Sequence, residues 1–241
     1  MYRETNTRSI VKGISWRIVA TGTTIIIVYL FFGRLDLAIA AGIIESLLKV
    51  FLYFIHEKGW QRIRFGKKKI EPFVLWFTGL PLSGKTTISN KVYEGLQKLH
   101  IPIEHIDSKD IRELIPDIGF SREERNQHIK RVGHLVSTLQ NNSISTIASF
   151  VSPYVQSRNI IKEMTVNPII VYIKADIKSC QERDYKGVYE KALSGELENF
   201  TGISDVYEEP INPDIIIDTD AISIDDAATK IVKFVKKKYI K

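Results

Sequence analysis

The chain has 241 residues, 44% hydrophobic and 26% charged, with 14 glycines and 8 prolines; this excludes collagenous, low-complexity and disordered classes and leaves room for one or two domains. A single cysteine, Cys180, excludes an internal disulfide framework and a multi-cysteine zinc site, and it fits a reducing compartment. The formal charge of +6, from 34 Lys and Arg against 28 Asp and Glu, first points to nucleic acid or a membrane surface.

That charge is unevenly placed. Residues 1–70 hold 12 basic and 4 acidic side chains, a net of +8, which leaves 22 basic and 24 acidic for residues 71–241, a net of −2. Two segments of different chemistry are joined. The second carries no basic stripe with interleaved aromatics, so no nucleic-acid partner is expected.

Ile18 to Gly33 is free of charge, about 24 Å as a helix against a hydrocarbon core of about 30 Å. Trp16 and Arg17 suit one interface, and Arg34 can snorkel at the other. Leu37 to Ile55 is a second apolar stretch, interrupted by Glu45 and Lys49, which share a helix face and can pair. A tight connection at Gly33 to Asp36 makes the pair a helical hairpin. Both flanks are rich in Lys and Arg, which places both termini in the cytoplasm. Residues 1–66 therefore read as a two-helix transmembrane domain that meets the membrane through residues 16–55. A signal peptide cleaved after Ala38-Ile39-Ala40 is the rival; the second apolar stretch favours an anchor. Arg8 to Ile63 also resembles a small two-helix bacterial membrane domain of unknown function, on Arg8-Ser9-Ile10-Val11-Lys12-Gly13-Ile14-Ser15-Trp16-Arg17 and His56-Glu57-Lys58-Gly59-Trp60-Gln61-Arg62.

A basic linker near Gly66 to Lys69 leads into residues 71–241. Phe73 to Phe77 reads as a buried strand, Gly84 to His100 as a helix and Pro102 to Asp107 as a strand. Ser121 to Gln140 is a long helix with Ser121 and Glu124 at capping-box spacing. Strands follow at Ser143 to Phe150, Pro168 to Lys174 and Asp214 to Ile217, and a helix at Asp225 to Tyr239 closes the chain. The alternation predicts an α/β domain with a parallel sheet covered by helices. The five lysines of the closing helix read as a solvated face, with contact to anionic lipid as the rival.

Gly79-Leu80-Pro81-Leu82-Ser83-Gly84-Lys85-Thr86 fits the phosphate-loop pattern between a strand and a helix. Its backbone N–H groups and the helix N-terminus cradle phosphates, Lys85 reaches the β- and γ-phosphates, and Thr86 offers its hydroxyl to Mg²⁺. ATP and Mg²⁺ are the expected cofactors, and the fold is P-loop NTPase-like. No G-protein base-reading motif accompanies the loop. Asp107, at a strand end, can hold metal-bound water or an acceptor hydroxyl.

From Phe73 to about Thr219 the chain resembles adenylylsulfate kinase. The likeness rests on the phosphate loop; on Asp107-Ser108-Lys109-Asp110-Ile111-Arg112, where the family often has D-G-D-N-x-R; and on Gly119-Phe120-Ser121-Arg122-Glu123-Glu124-Arg125 and Arg131-Val132-Gly133. It continues through Ser149-Phe150-Val151-Ser152-Pro153-Tyr154, Glu182-Arg183-Asp184, Lys186-Gly187-Val188-Tyr189, Asn199-Phe200-Thr201-Gly202-Ile203 and Tyr207-Glu208-Glu209-Pro210. The resemblance implies transfer of the ATP γ-phosphoryl to the ribose 3′-hydroxyl of adenylylsulfate. It implies ATP binding by residues 79–87, Thr87 included, and by Arg183. Arg112 and Arg125 would hold the phosphosulfate, Phe120 and Phe200 would sandwich the adenine, and Phe150, Val151 and Ser152 would line the acceptor pocket. Lys186 would approach the phosphates from a mobile lid spanning about Tyr185 to Ile203. Lys85, Asp107 and Ser152 are the catalytic candidates, and Thr86 and Asp107 the metal candidates. Ser152 matches a serine that the family phosphorylates, but it is not assigned as an obligatory nucleophile. The family also suggests a homodimer.

Two positions depart from the pattern. Lys109 replaces the second acidic residue of D-G-D-N-x-R, and His128 stands where a substrate-contacting Asn is usual. Together they keep open a paralogous kinase of another nucleotide-linked acceptor, for instance in surface-polysaccharide modification; Lys109 alone supports a decayed nucleotide-binding membrane adaptor.

Overall fold

The structure, a computed structural model, describes residues 2–4, 6–30, 35–63, 65, 67–115 and 118–240. The chain divides into two compact units, Met1–Ile70 and Glu71–Lys241.

The first unit contains β1 (Tyr2–Glu4), α1 (Asn6–Leu30), α2 (Leu35–Arg62) and β2 (Lys67–Lys69). The α1 helix begins well before the charge-free stretch at Ile18, because its charges find partners on α2. Arg8 is 1% exposed, and its guanidinium donates to the carbonyls of Trp60, Ile63 (2.9 Å) and Phe65 (2.8 Å), in the last turn of α2 and just after it. Lys12 Nζ meets Glu57 Oε1 at 2.8 Å, Ser15 Oγ lies 2.7 Å from His56 Nε2, and Trp16 packs edge-on against Tyr53. These contacts, early residues of α1 on late residues of α2, make the helices antiparallel. Outward-facing side chains are largely apolar: Ile10, Ile14, Ile18 and Ile26 on α1, and Leu47, Val50, Phe51 and Phe54 on α2. Among the described residues one helix, Thr7–Val28, is long and apolar enough to cross a membrane. The expected connection at Gly33 and Arg34, and the Glu45 side chain expected to pair with Lys49, lie outside the described residues. Lys67–Lys69, expected as linker, is a strand paired antiparallel with Tyr2–Glu4.

The second unit runs β3 (Val74–Thr78), α3 (Lys85–Gln97), β4 (Ile103–Asp107), α4 (Ser108–Leu114), α5 (Arg122–Asn141), β5 (Ser145–Ser149), α6 (Val155–Met164), β6 (Pro168–Lys174), α7 (Ile177–Glu182), α8 (Val188–Leu193), β7 (Ile215–Asp218) and α9 (Ile224–Tyr239). Its five strands are all parallel in the order β4-β5-β3-β6-β7. The expected parallel α/β sheet is present. Four short helices, α4, α6, α7 and α8, were not anticipated. The β3 strand is central and buried along its whole length, as its continuous apolar run requires. Trp76, Val132, Val136, Ile161 and Ile170 join one core between the sheet and α5 and α6. The chain goes from β3 to one side of the sheet and later to the other, so a crevice opens at the carboxyl ends of β3 and β5.

Candidate active site

The loop between β3 and α3 is shaped by close approaches. Gly79 has φ 155°, and a Cβ there would lie 2.3 Å from the Ile173 carbonyl oxygen, a backbone atom that cannot yield. Gly84 caps α3 in the left-handed region, with φ 96°. Lys85 is 8% exposed and folds back over the loop, donating to the carbonyls of Gly79 (3.1 Å) and Leu80 (2.7 Å). Burial lowers its ammonium to about 8, while Cys180 and Asp107 act in the opposite direction. The Ser83 hydroxyl is buried and has no hydrogen-bond partner among the described residues.

The first turn of α3 meets the end of β4. Thr86 Oγ1 donates to Asp107 Oδ2 at 2.8 Å, and the other carboxylate oxygen of Asp107 accepts from the Lys109 backbone N–H, capping α4. One hydroxyl and one carboxylate beside a phosphate cradle are hard oxygen donors, which fit Mg²⁺ completed by phosphate and water. These groups border a cleft of about 950 Å³ lined by the loop from Pro81 to Thr87 and by Asp107, Phe120, Val151, Arg183 and Lys186, among others. Leu80 instead faces a neighbouring depression beside Gly202. Arg183 reaches Thr219 Oγ1 (2.9 Å) and Asp220 Oδ1 (2.7 Å), at the rim formed by the turn after β7.

A smaller pocket of about 90 Å³ adjoins the cleft through Ser108, Phe120 and Val151 and is closed by Arg112, Arg125, His128, Phe150, Ser152 and Pro153. Both guanidiniums lie over the Phe120 ring, Arg112 at 4.3 Å and Arg125 at 5.3 Å from its centroid. Arg125 also donates to the carbonyls of Phe120 (2.8 Å) and Asn199 (2.6 Å), which ties together the two segments that carry Phe120 and Phe200. The Phe200 ring packs edge-on against Tyr189 and is not among the residues lining either pocket. Ser152, at φ 41°, accepts from the Trp76 indole N–H at 3.0 Å, and its carbonyl accepts from Arg158 at 2.7 Å. Phe150 is buried, stacked on Trp76 and beside His128.

His128 is 3% exposed, and among the described residues neither ring nitrogen has a hydrogen-bond partner. Burial, then the nearby Arg112 and Arg131, lower it to about 4, so the imidazole is neutral at physiological pH. Lys109 lies outside both pockets; its ammonium is 3.7 Å from Glu113, one turn along the exposed face of α4.

The segment expected as a mobile lid is held elsewhere as well as at the Arg125–Asn199 bond. The Tyr189 hydroxyl donates to the Pro81 carbonyl at 3.0 Å, and Gly202, at φ 94°, leaves room where a Cβ would sit 2.9 Å from Leu80. Tyr185 and Lys186 are exposed over the cleft. The residue-by-residue reading passed over Tyr189; its one signal was its place beside Lys186 in the fourth residue of the Lys186–Tyr189 motif. It also passed over Trp76 and Arg158, which fix Ser152 from elements distant in sequence.

A parallel sheet with a glycine loop after its central strand, a buried lysine in that loop and a hydroxyl–carboxylate pair beside it define a P-loop protein of the kinase type. The family model described as Adenylylsulphate kinase matches residues 71–218, and one described as a predicted membrane protein (DUF2061) matches residues 10–61. The chain belongs to the adenylylsulfate kinase family. A probable adenylyl-sulfate kinase of Pseudomonas aeruginosa is 43% identical over 162 residues, covering 67% of this chain and 76% of that protein. The adenylyl-sulfate kinase of Thermodesulfovibrio yellowstonii is 44% identical over 169 residues, covering 69% and 84%. The Mycobacterium tuberculosis APS kinase, solved in complex with AMPPNP and APS, superposes with a TM-score of 0.67 at 29% identity, covering 70% of this chain and 99% of that one.

Proposed function

We propose that residues 71–241 transfer the γ-phosphoryl of ATP to the 3′-hydroxyl of adenylylsulfate, and that residues 1–66 anchor this kinase to the cytoplasmic face of a membrane. The observation that carries the reaction is the adjacency of the phosphate cleft and the arginine- and aromatic-walled pocket, which meet at Phe120 and Val151.

In this reading the loop N–H groups and the α3 N-terminus receive the ATP phosphates, and Lys85 exchanges its loop carbonyls for phosphate oxygens. Thr86 and Asp107 would hold Mg²⁺, which would supply charge neutralisation at the ATP phosphates. Thr87 and Arg183 complete the nucleotide site. On the acceptor side Arg112 and Arg125 present guanidiniums to the phosphosulfate, and the Phe120 face suits the adenine, with Phe200 brought toward it through Arg125. His128, Phe150, Val151 and Ser152 form the wall. Asp107, which lines the phosphate cleft next to the shared Ser108, is the carboxylate that orients the acceptor hydroxyl; positioning and charge account for the chemistry without a covalent step at Ser152. Lys186 closes over the phosphates and excludes water, whose attack on ATP is the competing reaction. The placement of Lys109 on the outer face of α4 supports an intact site over a decayed one.

The anchoring reading is supported by the outward apolar side chains of α1 and α2, by the partnering of Arg8 and Lys12 within the helix pair, and by basic residues on both flanks. The test of the reaction is ADP release by the purified chain with Mg-ATP and a panel of nucleotide-linked acceptors. Release should depend on adenylylsulfate and vanish in Lys85→Ala. Release with another acceptor alone would assign a different substrate.

A further inference from the structure

The far end of the kinase unit carries a charge pattern that catalysis does not use. Lys233, Lys236, Lys237 and Lys238 are exposed in the last turns of α9, whereas its acidic residues, Asp225 and Asp226, stand in the first turn. A helix macrodipole favours cations within the last turn, so it accounts for Lys236 to Lys238 but not for Lys233. The unit as a whole is net acidic, so this basic end is a local concentration.

Its place in the fold is fixed. Tyr239 stacks on Phe73, ring centroids 5.1 Å apart, just before β3 begins. The last turns of α9 therefore lie at the amino-terminal edge of the sheet, where the chain enters the unit, and the phosphate cleft lies at the opposite, carboxyl edge. The Lys98 side chain, exposed just after α3, belongs to the same end, since α3 packs along α9 in the same direction: Lys91 pairs with Asp225, and Gly95 lies against Val232. Resting on the anchoring reading above, the entry point is the part of this unit tethered most closely to the bilayer, with about 40 Å of fully extended chain at most between Arg62 and Phe73.

We propose that the lysine end of α9 is a second membrane contact, which docks on anionic lipid headgroups and turns the catalytic cleft toward the cytosol. The complementarity is electrostatic: ammonium groups on flexible stems, held within a Debye length of a negative leaflet.

The test uses the full chain with a site-specific protease sequence inserted between Ile70 and Glu71, reconstituted in vesicles of phosphatidylcholine alone or with phosphatidylglycerol. After cleavage the kinase unit should stay on the anionic vesicles and leave the zwitterionic ones. High salt should release it. Each Lys→Gln change among the four α9 lysines should lower its partitioning about fivefold. The four-fold variant should keep wild-type turnover and still melt cooperatively, somewhat below wild type because Lys236 to Lys238 lose their favourable place at the helix C-terminus. Equal release from both vesicle types, with the uncleaved chain resisting carbonate extraction, would overturn this inference and leave the anchor standing. Carbonate extraction of the uncleaved chain would overturn the anchor, and retention of the cleaved unit on anionic vesicles would still decide the lysine end.

Discussion

The Tyr189 hydroxyl donates a hydrogen bond to the Pro81 carbonyl, 108 positions earlier in the chain, and so ties α8 to the phosphate loop. Burial raises the Tyr189 phenol, so it stays protonated and able to donate across the usable pH range. Its ring also meets Phe200, so one side chain links the ATP loop to the segment expected over the acceptor. Tyr189→Phe keeps the packing and removes the bond. A buried hydrogen bond is worth about 1 kcal/mol, so KM for ATP should rise about fivefold, and ADP release without acceptor should grow relative to transfer. Unchanged KM and coupling would make the contact incidental.

Thr86 and Asp107 form the second decisive pair. Asp107→Asn keeps the cap on α4, because an amide oxygen can still accept from Lys109 N–H, but it removes the charge. The turnover number should fall about 100-fold or more, with ATP affinity in the absence of Mg²⁺ little altered. Steady-state kinetics with a magnesium titration checks this. A loss of metal-free ATP affinity instead would point to a role in shaping the loop.

Lys85 gives a pH signature. Its ammonium ionises at about 8 in the free protein, against an ordinary 10.5, because it is buried. Polyphosphate favours the charged form, so nucleotide binding above pH 8 takes up a proton, and affinity weakens as pH rises, by up to about tenfold per unit. Calorimetry at pH 7, 8 and 9 in buffers of different ionisation heat reads both effects. Affinity flat from pH 7 to 9, with no proton uptake, would contradict the assignment.

His128 gives the opposite window. Its native pKa, about 4, lies below the unfolded value of 6.5, so the folded protein binds fewer protons between those values. Stability therefore falls as pH drops from 6.5 toward 4, by about 3 kcal/mol over the full window. His128→Asn should lose less stability than the parent between pH 7 and pH 5 in thermal melts. An equal acid loss in both proteins would place the titration elsewhere.

Local signals were the legible part. The Ser121–Glu124 spacing became a capping box with both reciprocal bonds, and the Pro168–Lys174 strand matched residue for residue. Phosphate loop and Asp107 were both visible, because glycine spacing and strand ends leave a mark in the chain. What escaped were elements too short to show a period, such as α7 and α8, and α6, whose preceding turn is set by the strained Ser152. The start of α1 escaped for another reason: Arg8 and Lys12 read as a basic flank before the apolar stretch, until carbonyls around the end of α2 and Glu57 supply partners some 50 positions away. Tyr189, Trp76 and Arg158 act across similar separations, and no local pattern reports such contacts.

The central claim is that the cleft and the arginine-walled pocket hold one phosphoryl donor and one acceptor across Asp107. Incubating the purified full chain with γ-labelled Mg-ATP and adenylylsulfate tests it most directly. Label should appear in a product that a 3′-nucleotidase strips back to adenylylsulfate. Label found only in inorganic phosphate, from a folded chain that binds both nucleotides, would contradict the account.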